Sequence, residues 1–386
     1  MKYDFDEIVP RRGTNSCKWD TPADEGVLPM WVADMDFRTA PAVVDAVRRR
    51  AEHGIFGYTK VPDAYYRAIV GWFSRRHGWT IDPQTIIYTT GVVPALSASI
   101  KALTRPGDRV LVMTPAYNCF YSSIRNNGCE LSAVPMIYSA GSSYAVDFEA
   151  LERAAADERA RLLLLCNPHN PGGRVWTRDE LHRIGEICLR HNVFVVSDEI
   201  HCELTFDGRD YTPYATLGGE FARRSVVCTS PSKAFNIAGL QTANIIAPDD
   251  EVRRRIDRAI NDNEVCDIGP FGVEALMAAY GEGEEWLDAL RGYLWDNYLA
   301  LRGFFAEHLP DYPVMPLEGT YLAWVDCRAA GMDSERLAQR LLDEARLKVS
   351  PGAMYGPGGD GFLRINMACP RALLVEGLHR LKTVLG

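Results

Sequence analysis

The sequence predicts an α/β fold: a large three-layer α/β/α domain with a mostly parallel sheet, joined to a smaller α+β domain. Three observations lead there. The chain has 386 residues, beyond the size at which one hydrophobic core stops growing, so two domains are expected. Its middle alternates short β-branched runs with helical patterns, the pattern of βαβ units and of a sheet buried on both faces. Its last third changes to longer helices interspersed with single strands.

Taken in order, Ile86–Thr89 reads as a strand and 93–103 as the helix that follows it. Further strands are expected over 109–113, 161–166, 193–197, 226–229 and 242–247. Between 161–166 and 193–197, Leu181, Ile184, Ile187 and Cys188 recur at the helical period, which predicts a helix over 179–191. Residues 39–285 form the expected large domain. After it come a helix over 286–309, a strand over 321–326, a helix over 334–346, the strand Phe362–Asn366 and a closing helix, Arg371–Leu385. Segment 1–38 bears proline and tryptophan but no clear period, and is grouped with 286–386 as the small domain.

Composition removes several function classes. A formal net charge of −9 leaves no excess of cations to displace counterions, so no nucleic-acid partner is expected. The ten cysteines include no C-x-x-C pair, and several sit in apolar runs, so neither a metal centre nor a disulfide framework is expected. The first twelve residues are charged where a secretory signal would be apolar, and no apolar run is long enough to span a bilayer. A cytoplasmic protein without a membrane partner is the expectation.

Ligands of parallel α/β sheets gather outside the carboxyl ends of the strands, so the residues just past each strand are the candidates. Lys233 follows a strand and the hydroxyls of Ser230 and Ser232; a lysine can form Schiff bases and carry protons when its charge is suppressed. Its alternative is a surface lysine after a serine-rich turn. Asp198 ends a run of valines, where a carboxylate needs a cation or hydrogen-bond donors; a protonated pyridine nitrogen or an internal arginine would serve. Asn170 offers an amide to a ligand or to its own Asn-Pro-Gly-Gly turn. Gly91, Val92 and Val93 open a helix, where free N–H groups suit a phosphate, or form an ordinary turn. Tyr117 can lie on an aromatic ligand or in the core. Arg364, within a strand-like run, needs an anion, whether a substrate carboxylate or an internal acid.

Together and in this order the motifs are specific. Asn170-Pro171-Gly172-Gly173, Asp198-Glu199, Ser230-Pro231-Ser232-Lys233 and Arg364-Ile365-Asn366 resemble the pattern of the fold-type I enzymes that use pyridoxal 5′-phosphate, the class I/II aminotransferase superfamily. Within it, the stretches 29–37, 54–58, 90–94, 197–201 and 232–236 resemble the cystathionine β-lyase (carbon–sulfur lyase) branch of the MalY/PatB type. The resemblance implies that Lys233 carries the cofactor as a Schiff base and moves the substrate Cα proton. It implies that Asp198 pairs with the pyridine nitrogen, Asn170 bonds the ring 3′-oxygen and Tyr117 stacks on the ring. Gly91, Val92, Val93, Ser230 and Ser232 would hold the phosphate. Tyr58 would reach it from the neighbouring subunit of a homodimer. Arg364 would bind the substrate α-carboxylate, with Trp31 and Asp34 at the mouth.

Two positions depart from the aminotransferase pattern: His201 stands where tyrosine is usual, and Gln241 where many members have a phosphate-binding arginine. His201 is carried as a cofactor contact. The activity implied is β-elimination from cystathionine or another cysteine S-conjugate. Transamination, and a cofactor-binding regulator without turnover, are the alternatives.

Overall fold

A computed structural model describes residues 3–21, 24–262, 264 and 266–386. A short strand β1 (Leu28–Pro29) precedes those of the main sheet: β2 (Ile86–Thr89), β3 (Arg109–Thr114), β4 (Glu130–Pro135), β5 (Ala160–Cys166), β6 (Phe194–Asp198), β7 (Ser225–Thr229) and β8 (Ala243–Ile246). Later come β9 (Leu322–Asp326), β10 (Leu347–Lys348), β11 (Ser350–Pro351) and β12 (Phe362–Asn366).

The main sheet runs β2-β8-β7-β6-β5-β3-β4. Neighbours from β7 through β4 are parallel, and β8 is antiparallel to both β2 and β7. Alternation along the strands explains the layers. On β3, Val110 and Val112 join one core cluster and Leu111 and Met113 the other; on β5, Leu162 and Leu164 are separated from Leu163 and Leu165 in the same way. Side chains of a strand point alternately to opposite faces, so each strand needs apolar cover on both sides. The helices Val92–Leu103 and Asp250–Asn261 cover one face, with Leu96, Ile100 and Ile256. The other face is covered by Arg178–Arg190 with Leu181 and Ile184. That helix begins at a capping box between Thr177 and Glu180, which satisfies two of its free donors.

The sheet contains one strand that the pattern did not announce. β4 lies at the edge and shows only Val134 buried, so its sequence lacks the continuous apolar run that marks the inner strands. The helices Pro41–Glu52 and Asp63–His77 also fall where no element was expected.

The second sheet has three strands, in the order β11-β12-β9, all antiparallel. The N-terminal segment packs beside it: β1 pairs in parallel with β10, Asn366 N–H donates to the Met30 carbonyl (2.9 Å) and Asp36 N–H to that of Ala368 (2.9 Å). A Cβ on Gly377 would lie 2.3 Å from Met30 Sδ, so a larger residue there would have to displace the Met30 thioether. Below the segment Lys18 is 1% exposed. Its Nζ lies 2.7 Å from Asp36 Oδ2, while Asp36 Oδ1 accepts from Trp19 Nε1 (2.8 Å) and Arg11 Nη1 (2.7 Å).

Breaking a buried pair by removing one partner leaves an uncompensated charge. Asp36→Ala is therefore expected to lower the unfolding free energy by about 3–5 kcal/mol, measured by urea denaturation.

Candidate active site

The carboxyl ends of the parallel strands, the start of helix Val92–Leu103 and the loop after β7 enclose a cavity of about 290 Å³. Gly91, Val92, Val93, Tyr117, Asn170, Asp198, His201, Ser232 and Lys233 all line it. These residues were picked from five separate stretches of sequence, and the fold brings them to one hollow.

Lys233 is half-buried, and its Nζ donates to the Ala33 carbonyl at 2.6 Å. Burial, reinforced by the Arg364 charge, pushes its ammonium down to about 8, against the opposing pull of Asp34, Asp198 and Cys119. About a tenth of the amine is then neutral at pH 7, and the neutral form is the one a nucleophilic or proton-accepting lysine uses. Asp198, at the end of β6, accepts from Ile200 N–H (3.1 Å). Burial raises its carboxyl to about 7, only partly offset by that bond and by Lys233. Among the described residues no cation lies within ion-pair distance of it. A ligand cation in the cavity would supply the missing partner.

His201 is buried, with no hydrogen-bond partner for Nδ1. Burial and the charges of Lys233 and Arg364 hold its imidazole well below the usual range, hence neutral. Tyr117 stands at the start of helix Asn118–Asn126; burial, with Cys119 beside it, raises its phenol and keeps it protonated. The helix that begins at Val92 has no side-chain cap, so the first N–H groups remain available, and Pro94 in that turn has none to leave unsatisfied. Lys233 is the only lysine or arginine in the cavity wall among the described residues. Gln241 also lines it, from a left-handed backbone position (φ 51°).

Arg364 is 5% exposed and meets the cavity at Asn170, whose Oδ1 accepts from Nη1 at 3.1 Å. That bond fixes the amide, so Nδ2 is the donor left for the cavity. Nη2 donates to the Trp31 carbonyl (2.9 Å), the guanidinium lies 4.8 Å from the Tyr355 ring centroid, and Nε has no partner. Among the described residues no acid pairs with it, which removes the internal-acid alternative.

Four expected residues stand elsewhere. Ser230 turns its hydroxyl to the Thr242 carbonyl (2.6 Å) and accepts from Ser232 N–H (3.1 Å), bracing the lysine loop from behind. Trp31 serves through its carbonyl, while its ring lies under Lys348 Nζ at 4.1 Å. Asp34 is held by Arg11 (2.7 Å) and faces a neighbouring cleft with Arg11 and Arg38. Tyr58 is 98% exposed, on the exposed stretch from Gly54 to Tyr58, and touches no part of this cavity. Sequence reasoning missed Asn366, which binds the Val32 and Asp34 carbonyls (2.5 and 2.6 Å), and Asn236, which binds Met35 and Phe37. An amide closing the strand-like run that already carries Arg364 was the available signal for Asn366.

One other cluster has metal-binding residue types: His77, Cys202 and Glu203 place ligand atoms within 4.8 Å of one another. Glu203 already accepts from Trp72 Nε1 (2.6 Å) and faces Arg76 (3.1 Å), so protein donors neutralise it.

The fold agrees with comparison to known proteins. The family model for aminotransferase class I and II matches residues 26–381, and the chain belongs to that family. It is similar to the cystathionine beta-lyase PatB of Bacillus subtilis (strain 168), with 43% identity over 385 residues and 99% of each chain covered. It is similar also to the protein MalY of Escherichia coli (strain K12), with 35% identity over 383 residues and 97% of each covered. Cystalysin from Treponema denticola, whose crystal structure contains pyridoxal 5′-phosphate, superposes with a TM-score of 0.96 at 34% identity, over 100% of this chain and 99% of its own. The fold is accordingly the fold-type I architecture of enzymes using that cofactor. No helix among the described residues is long and apolar enough to cross a membrane.

Burial gives the cofactor-free protein a characteristic response to pH. Asp198 and Glu199 are both raised to about 7, so each binds more proton when folded than when unfolded. The stability this lends is complete below their unfolded range, near pH 4, and is lost as pH rises through 7. Asp198→Asn should make the decline shallower by about 1.4 kcal/mol per pH unit between roughly pH 5 and 6.5. Parallel slopes for the two proteins in urea titrations would refute that account of Asp198.

Proposed function

We propose that this protein is a pyridoxal-5′-phosphate-dependent carbon–sulfur β-lyase that cleaves cystathionine or another cysteine S-conjugate to a thiol, pyruvate and ammonia. The observation that carries it is the joint placement of Lys233 and Asp198 in one cavity wall, with Arg364 bonded to Asn170 at its edge. Likeness over the whole chain to a cystathionine beta-lyase supports β-elimination as the outcome.

The residues fit the cofactor. A buried carboxylate without a cation, a neutral histidine with an unbonded ring nitrogen and an uncapped helix start offer what a protonated pyridine ring and a phosphate require. When bound, the cofactor supplies an electron sink for the substrate Cα. Asp198 holds the proton on the ring nitrogen, since its own charge is costly without one. Asn170 Nδ2 and His201 lie to hand for the ring oxygen, and Tyr117 for the ring face. The N–H groups at Val92 and Val93, with Ser232, would hold the phosphate, while Ser230 fixes the loop that presents Ser232.

Arg364 takes the substrate α-carboxylate through its planar fork and so orients the Cα–H bond toward the lysine. Lys233 Nζ, already partly neutral, accepts that proton. The thiolate then leaves from Cβ, and the three-carbon remainder hydrolyses to pyruvate and ammonia. Trp31 shapes the mouth by holding Arg364 through its carbonyl, and Asp34 acts as a charge near Lys233.

The same reading assigns residues 39–285 to a cofactor-binding domain and 1–38 with 286–386 to a smaller one. It makes the working form a cytoplasmic homodimer in which exposed Tyr58 completes the phosphate site of the other subunit.

Purified protein should release pyruvate and thiol from cystathionine without any keto acid; strict dependence on a keto acid would replace the lyase by a transaminase. Lys233→Ala should lose the visible absorbance of the lysine-bound cofactor together with turnover. Arg364→Lys keeps the charge but loses the fork, and kcat/KM should fall roughly tenfold to a hundredfold. A value within twofold of the wild type would contradict the carboxylate role.

A further inference from the structure

One backbone oxygen, that of Ala33, accepts two hydrogen bonds: from Lys233 Nζ at 2.6 Å and from the Tyr321 hydroxyl at 2.8 Å. The carbonyls on either side of it, Val32 and Asp34, are both held by Asn366 Nδ2. Next along, Met35 exchanges bonds with the Asn236 amide through both its N–H and its carbonyl (2.9 and 3.0 Å). The Ala33 oxygen cannot turn without breaking its neighbours' bonds, so it stays aimed at the lysine. A carbonyl oxygen has two lone pairs; here the tyrosine occupies one and the lysine the other.

We propose that the Ala33 carbonyl is the seat of the free ε-amine of Lys233, and that Tyr321 is a positioning residue that sets how strongly the seat holds the charged form. The inference rests on Lys233 being the reacting amine. A donor already on the oxygen draws its electron density and leaves a poorer acceptor for the lysine. An ammonium gains more from a carbonyl than a neutral amine does, so weakening the acceptor favours the neutral amine. That is the form that attacks a carbonyl carbon or takes up a proton.

The surroundings of the lysine act on the same balance. Arg364 disfavours its charge; Asp34, Asp198 and Cys119 favour it; His201 stays neutral beside it. Tyr321 faces Asp34, Arg364 and Tyr117, and burial keeps its hydroxyl protonated, hence a donor. Its ring is 1% exposed and lies edge-on to His201 at 6.1 Å, contacts that phenylalanine retains.

The test follows attachment of pyridoxal 5′-phosphate to the protein after the cofactor has been removed from the holoenzyme. The attachment rate, read from the visible absorbance between about pH 6 and 10, rises with the neutral fraction of Lys233 and so has its midpoint at the lysine pKa. In Tyr321→Phe the midpoint should move up by about 0.5–1 pH unit. With 3-fluorotyrosine at position 321, a stronger donor of nearly the same shape, it should move down. The acid limb of kcat in the loaded enzyme should shift in the same directions. Midpoints that stay in place, or a downward shift in Tyr321→Phe, overturn the proposal, and the fluorotyrosine arm decides it alone if the phenylalanine variant does not fold. Lys233→Ala separates the two levels: absorbance that survives there removes the lysine assignment itself. Absorbance lost there, with unmoved midpoints at position 321, removes only the seat.

Discussion

Parallel strands that end on one edge of a sheet leave a row of backbone and side-chain groups without further sheet partners, and the chemistry of this protein is built on that row. Asp198 shows the constraint most sharply. In the register of the sheet it lies between Cys166 and Cys228, 3% exposed. A charge there is costly, and the protein gives it one backbone N–H and a distant lysine rather than an arginine. In the proposed function a ligand cation relieves that cost. Lys233 shows the converse, a cation made less costly to neutralise by the same burial.

The second dependence is on chain that is remote in sequence. Residues 31–35 present successive carbonyls to Arg364, Asn366, Lys233 and Asn236. One short irregular segment thus sets the Lys233 amine and the proposed carboxylate-binding arginine in mutual register. The segment is itself anchored by Lys18, Arg11 and Trp19 on Asp36. A buried ion pair outside the cavity wall therefore bears on its geometry, and the small sheet's β12 supplies both Arg364 and Asn366.

The inner strands were legible because each carries a run of consecutive apolar residues buried on both faces. Edge strand β4 was not, since an edge strand with a solvated face carries no such run. The proposed cofactor residues were legible as a set because Lys233, Asp198, Asn170 and Arg364 sit in or just past strand-like runs, in motifs whose order resembles one family's pattern. Tyr321 and Ala33 lie outside those motifs. A buried tyrosine beside a strand and an alanine in an irregular segment look ordinary until their hydrogen bonds are known. Ser230 was legible as a hydroxyl near the lysine, but the direction in which it donates was not.

By itself the sequence determined the layered α/β class, the strand-end location of the chemistry and the identity of its main charged groups. These follow from alternation, from helical period and from polar residues set in apolar runs, all of which are local. Only the tertiary structure decided that Arg364 has no acid partner, that Asp34 belongs to Arg11 rather than to the cavity wall, and that Lys233 rests on a carbonyl shared with Tyr321. Those outcomes depend on contacts across 23 to 333 positions of chain. Hydrogen-bond partners at such separations are chosen by packing, which no local pattern records.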